Sequence, residues 1–278
     1  MIFDFNIHLN RLDALSKNVH GKVADESSLD VPLLLECYQA QRSEFVTTIA
    51  GANFMLFNPK LPFGDHQIGN FVSEVRKDFP SATFTQLLDF RREGITTAVD
   101  RLVSAKVQGV KFHSYVQAIA DTDIKLALSA AHVAAERGLF ICVDTSYGST
   151  YMYEHVNMKL AAEIAREIKN VPIILLHSGG AKRWEALLLA DEVENVFLET
   201  SFSLPYYEGA TIFDDFAFIY KKIGVERVLY ASDHPAVSLT NAKSCMDRFI
   251  ERYGFTQEES ELMFHGNAER LIGELKVS

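Results

Sequence analysis

The chain has 278 residues, of which 48% are hydrophobic, 23% charged and 11% aromatic, a globular composition that excludes disorder, collagen and coiled coil. Lys and Arg number 27 against 37 Asp and Glu, a formal charge of −10. Such an acidic chain repels phosphate backbones and anionic lipid, so neither nucleic acid nor a membrane is an expected partner.

Short apolar runs alternate with longer segments of helical period along the whole chain. Residues 2–5 read as a first strand and 32–42 as a helix with Leu33, Leu34, Cys37 and Tyr38 on one face. Residues 45–50 read as the second strand. The next segment, 51–70, holds Pro59, Pro62, Gly64 and Gly69 among Phe54, Phe57, Phe63 and His66, and is expected to form a lid loop. A helix follows at 71–79, a strand at 83–88 and a helix at 95–105. The fourth strand is 109–113, and the helix after it, 123–137, has Asp121 or Thr122 as N-cap and Gly138 as its stop. Strand 139–143 and helix 156–168, strand 172–176 and helix 181–190, strand 196–199 and helix 211–223, and strand 227–231 and helix 241–253 complete the alternation. A C-terminal helix is expected at 257–274. Eight strand–helix units close a (β/α)8 TIM barrel, and we expect one domain over residues 1–278. No Gly-x-Gly-x-x-Gly follows the first strand, which counts against a doubly wound nucleotide-binding sheet.

Cys37, Cys142 and Cys245 show no Cys-x-x-Cys spacing and no disulfide framework, which suits a reducing compartment. The opening residues lack a secretory leader pattern, and no apolar run approaches the ~18–20 residues that span a bilayer. A cytoplasmic location is the expectation.

Barrel enzymes work at the C-terminal ends of their strands. Polar residues recur there: Asn6 and His8, Asp89 and Arg91, Lys111 and His113, Asp144, His177, Glu199 with Ser201, then Asp233 with His234. A convergent polar cluster at one barrel end is the mark of an active site. Each member alone also has a structural reading: His8 as a hydrogen-bonded strand end, Asp233 as a turn cap, Lys111 as an ion-pair partner. We expect Lys111, His113, Asn6 and Arg91 to contact a small substrate. His20, His66, His132, His155 and His265 lack this context, and Trp184 reads as packing.

These motifs, in this order, resemble the amidohydrolase-related family of barrel hydrolases and decarboxylases. The matching segments are Asp4-Phe5-Asn6-Ile7-His8, Leu33-Leu34-Leu35-Glu36, Gly109-Val110-Lys111-Phe112-His113, His177-Ser178-Gly179-Gly180, Ser232-Asp233-His234-Pro235 and Asn267-Ala268-Glu269-Arg270-Leu271. The resemblance implies a metal-assisted hydrolase with Asp233 as general base and His177 as ligand or carbonyl donor. It implies a divalent metal, Zn²⁺ or Mn²⁺, held by His8, Asp144, His177 and Asp233. Two positions depart from the pattern: Asn6 stands where the first His is usual, and Asp144 where a fifth-strand His is usual. A neutral amide is a poorer zinc ligand than imidazole. The expectation is therefore a hydrolase of a small polar, carboxylate-bearing substrate, with or without a divalent metal. The alternatives are a metal-independent lactonase, a decarboxylase or hydratase on the same scaffold, or a non-catalytic binding paralogue. A homodimer is compatible with all of them.

Overall fold

The computed structural model describes residues 1–9, 31–57, 66–146 and 150–275. Eight parallel strands follow one another around a single sheet in chain order. They are β1 (Phe3–His8), β2 (Gly51–Leu56), β3 (Thr83–Leu87), β4 (Gly109–Phe112), β5 (Phe140–Asp144), β6 (Ile173–Leu176), β7 (Val196–Glu199) and β8 (Val228–Leu229). The ring closes between its ends. Phe5 N donates to Tyr230 O at 3.0 Å, Asp233 N to Asn6 O at 3.0 Å and His8 N to His234 O at 2.7 Å, with a parallel bridge between Ile7 and His234. The result is the expected (β/α)8 TIM barrel.

The outer layer is α1 (Val31–Thr48), α2 (His66–Asp78), α3 (Ile95–Ser104), α4 (Ile124–Glu136), α5 (Asn157–Glu167), α6 (Arg183–Glu192), the short α7 (Ser203–Tyr207), α8 (Ile212–Ile223) and α9 (Leu239–Tyr253). The C-terminal helical stretch is broken by one π-turn, Leu262–Gly266, between α10 (Gln257–Glu261) and α11 (Asn267–Leu275). No helix among the described residues is long and apolar enough to cross a membrane.

Two expectations fail here. Residues 45–50 are not a strand: α1 runs on to Thr48, because Phe45 lies seven residues after Tyr38 and packs on the same helical face, with ring centroids 6.3 Å apart. The second strand is 51–56, inside the segment expected to be a lid, and α2 begins at His66. Phe63 and most of what remains of that segment lie outside the described residues. Trp184 is 45% exposed and meets Phe218, so it is surface packing.

Two apolar layers result from strand alternation. Phe3, Phe5, Met55, Phe140, Cys142, Ile174, Leu176, Leu229 and Ala231 fill the barrel, and Ala268, Leu271 and Ile272 of α11 join them. Residues of opposite parity, such as Val110, Phe112, Ile141, Val143, Ile173 and Leu175, pack against the helices. Gly109 is required on the inner face, since a Cβ there would enter the Phe140 ring. Strand β1 changes parity. Its register against β2 shifts between Asp4 and Ile7, so Phe3 and Phe5 belong to the barrel interior while Ile7 packs outward. That irregularity turns Asn6 and His8 inward at the mouth.

Candidate active site

The inner faces of β4, β5, β7 and β8 each lead to one charged group at the C-terminal mouth. Lys111 stands two residues above Gly109, Asp144 two above Cys142, Glu199 two above Phe197, and Asp233 two above Ala231. His177 is different. Alternation after Leu176 would send it outward, but its φ is 67°, and Ser178, Gly179 and Gly180 also have positive φ. A non-glycine residue there is uncommon and strained. The left-handed turn brings the imidazole back over the barrel.

Asp144 is the hub of the buried network. Its Oδ2 lies 3.1 Å from His177 Nε2, 3.3 Å from His113 Nε2 and 3.7 Å from Lys111 Nζ. Its Oδ1 accepts from Ser146 N at 3.1 Å and Ser146 Oγ at 2.7 Å. Burial alone would push this carboxyl up, yet His113, His177 and Lys111 together hold it well below the carboxylate range. Burial pushes the His113 imidazole down to about 3, against the pull of Asp144, so it is neutral. Burial also opposes charge on His177, but Asp144 outweighs it and raises that ring to about 9. Lys111 and His177 thus flank the Asp144 carboxylate, and Glu199 approaches His177 from the other side. Phe57 covers the group: its ring is 5.2 Å from the His113 ring, 5.3 Å from the His8 ring and 5.0 Å from Lys111 Nζ.

Asp233 and His8 form a separate pair, Oδ1 to Nε2 at 3.5 Å. Their side chains are 16% and 11% exposed, against 3% for Asp144 and 2% for Lys111. Asp233 has φ 63°, and that turn aims its carboxylate at the mouth.

Sequence reasoning named Glu199 and Ser201 as strand-end residues without a role. Both are fully buried, and Ser201 Oγ lies 3.0 Å from His177 Nδ1. Their inward parity after an apolar run was the available signal. Asp4 was also missed: its Oδ1 accepts from Ser232 N at 3.0 Å and Asn6 N at 3.1 Å, tying β1 to the β8 end. Burial raises Asp4 to about 7 despite those bonds. His234 turns away from the mouth and meets Gln41 Oε1 through Nε2 at 2.8 Å.

Arg91 is not brought into this network. All three of its guanidinium nitrogens are used, on Asp123 and on the carbonyls of Gln117 and Ala118. Two buried acceptors of the cluster, Asn6 Oδ1 and His113 Nδ1, make no hydrogen bond among the described residues. Of the histidines left without a role, His132 pairs with Glu167 at 3.0 Å and His265 with Glu269 at 3.2 Å.

The residues present do not fit the metal that the resemblance implies. Asp144 is already neutralised by Lys111 and His177, and a divalent ion there would stand against the Lys111 ammonium. His177 meets Asp144 through Nε2 and Ser201 through Nδ1, so neither ring nitrogen is turned to a ligand. Among the described residues no group of three His, Cys, Asp or Glu side chains is placed to hold a metal ion. The set His8, Asp144, His177 and Asp233 is thus split into a buried pole and a rim pair.

Several solved structures share this architecture at low sequence identity. A probable 2-pyrone-4,6-dicarboxylic acid hydrolase from Acinetobacter baumannii, with citric acid bound, superposes with a TM-score of 0.66 at 12% identity, over 98% of this chain and 99% of that one. An amidohydrolase from Burkholderia multivorans with bound zinc gives 0.63 at 14% identity, over 98% and 99%. A 2,6-dihydroxybenzoate decarboxylase from Rhizobium gives 0.61 at 12% identity, over 98% of both chains. These likenesses show the fold alone. No curated protein matches the chain in sequence. The amidohydrolase family pattern, however, matches residues 76–273, from the end of α2 into α11 and more than half of the chain. On that match the chain belongs to the amidohydrolase family.

Proposed function

We propose that the protein is a hydrolase that opens an ester-type bond, such as that of a lactone, in a small carboxylate-bearing substrate, with Asp233 activating water and no metal required. The observation that carries this reading is the unequal setting of the two aspartates. Asp144 is locked by two cations and two serine donors, and cannot take a proton at neutral pH. Asp233 has one imidazole beside it and the greater exposure, so it is the carboxylate that can meet water.

In this reading Asp233 removes a proton from water as the oxygen attacks the substrate carbonyl. The negative charge that develops on the carbonyl oxygen falls within the field of Lys111 and His177, which favours an anion. The alcohol leaves when the carbon–oxygen bond breaks, taking a proton back from Asp233. Asn6 Oδ1 and His113 Nδ1 offer acceptors to substrate hydrogens. The Acinetobacter protein named for a pyrone dicarboxylate supports lactones with carboxyl substituents as the first panel to try.

The test is hydrolysis of such a panel by purified enzyme, in chelator and again with added Zn²⁺ or Mn²⁺, with carbon dioxide measured in parallel. Turnover in chelator supports the reading. Turnover only with metal, or carbon dioxide release in place of ring opening, overturns it in favour of a metal hydrolase or a decarboxylase. Thermal stabilisation by carboxylates without turnover would identify a binding protein.

A further inference from the structure

Glu199 and Ser201 have no part in the chemistry above, yet both converge on His177. Ser201 Oγ has one proton and two lone pairs. It donates to Glu199 Oε2 at 2.8 Å, accepts from Asn6 Nδ2 at 3.1 Å and lies 3.0 Å from His177 Nδ1. Its only proton is committed to the carboxylate, so the imidazole must donate. The Ser201 carbonyl oxygen, which can only accept, lies 3.2 Å from the same nitrogen and demands the same polarity. At the opposite edge of the ring, Nε2 faces the Asp144 carboxylate at 3.1 Å. Both ring nitrogens therefore face acceptors.

Glu199 anchors the arrangement. It accepts from His177 N at 3.2 Å, from Asn6 Nδ2 at 3.4 Å and from the Ser201 backbone N–H. It thus holds the strained left-handed turn as well as the ring. Asn6 also finds a reason here. One amide nitrogen donates two protons, to Ser201 Oγ and to Glu199, which a single imidazole nitrogen cannot do.

We propose that Glu199, acting through Ser201 and Asn6, is a positioning device that holds the His177 ring with both nitrogens turned to acceptors and so closed to metal ligation. Glu199 and Ser201 are positioning residues in this scheme, since they reach the reaction through His177. Only the kinetic part of the test rests on the hydrolytic reading.

The test uses the full-length protein with ¹⁵N-labelled histidine, and the His177 ring is assigned through its correlations to the backbone. In the wild type at pH 7, both ring nitrogens should carry slowly exchanging protons. An excess of Zn²⁺ should leave both signals in place. Ser201→Ala and Glu199→Gln should weaken the Nδ1 proton signal through faster exchange, since only the Ser201 carbonyl oxygen still accepts it, and keep that of Nε2. With a hydrolysed substrate, kcat should fall about 10–100-fold while KM changes little. Ser201→Thr, which keeps the hydroxyl, should restore the Nδ1 signal. A wild-type His177 ring with one bare nitrogen at pH 7, or one that shifts on binding zinc, overturns the proposal, and neither observation depends on a variant folding. Two protonated nitrogens in a protein that hydrolyses nothing would sink the proposed function and leave this inference standing.

Discussion

The two aspartates at the barrel mouth have the same chemistry and opposite settings. Asp144 at the end of β5 is 3% exposed and faces Lys111, His113 and His177 through one oxygen. Asp233 beyond β8 is 16% exposed and pairs with His8 at 3.5 Å. One side of the barrel is a closed electrostatic structure, and the other is open to a reactant. The difference teaches that a carboxylate's role follows from how many of its lone pairs the fold has already committed.

The strongest break of that contrast is Asp233→Asn. Removing a general base should lower kcat/KM by about 10²–10⁴-fold, with the circular dichroism and melting temperature of the wild type. Activity within tenfold of wild type would move the base elsewhere. The mirror experiment strikes the buried side. Lys111→Met leaves Asp144 short of its nearest permanent cation, and breaking a buried pair costs about 3–5 kcal/mol. The urea midpoint should fall accordingly, and the Lys111→Met/Asp144→Asn double variant should recover part of the loss. Full additivity would show that the two groups are not coupled.

A smaller effect lies in the pH dependence of stability. His177 is raised from 6.5 to about 9 in the folded chain. Its contribution is therefore fully present below pH 6.5 and is lost as pH rises through 9. Asp4, raised from 3.8 to about 7, contributes stability that is present below 3.8 and gone above 7, so in the region from 7 to 9 the part of the fall that His177→Gln removes reports His177. Urea midpoints across that range should fall in the wild type and flatten in His177→Gln. The smallest expected effect is that of Arg91→Ala. Its exposed pairing with Asp123 should contribute about 1 kcal/mol or less, and KM should stay within error. A several-fold rise in KM would return Arg91 to the substrate site and widen the open side of the comparison.

Much of this was readable from residue order. The apolar runs Ile173–Leu176 and Val196–Glu199 announced buried parallel strands, and the polar residue after each run marked the mouth of the barrel. The second strand was misread because Phe45 and Val46 look like a strand start. Only packing on Tyr38 and Phe54 shows that α1 continues, with the Phe45 ring 5.6 Å from that of Phe54. Arg91 stood at the right strand end, and tertiary contacts turned it to Asp123. Glu199 and Ser201 were visible in position and mute in role, because their partner His177 is more than twenty residues away.

The sequence by itself determined the eightfold alternation and the family, since both depend on local period and short motifs. It also determined which residue types reach the mouth. Tertiary structure alone decided how those residues divide. The shifted register in β1 turns Asn6 inward, and the left-handed turn at His177 brings its ring onto Asp144. The sharing of one carboxylate oxygen among Lys111, His113 and His177 is set by distances across the barrel. Such distances depend on closure of the whole ring, and charge coupling falls off with separation in space, which no spacing along the chain encodes.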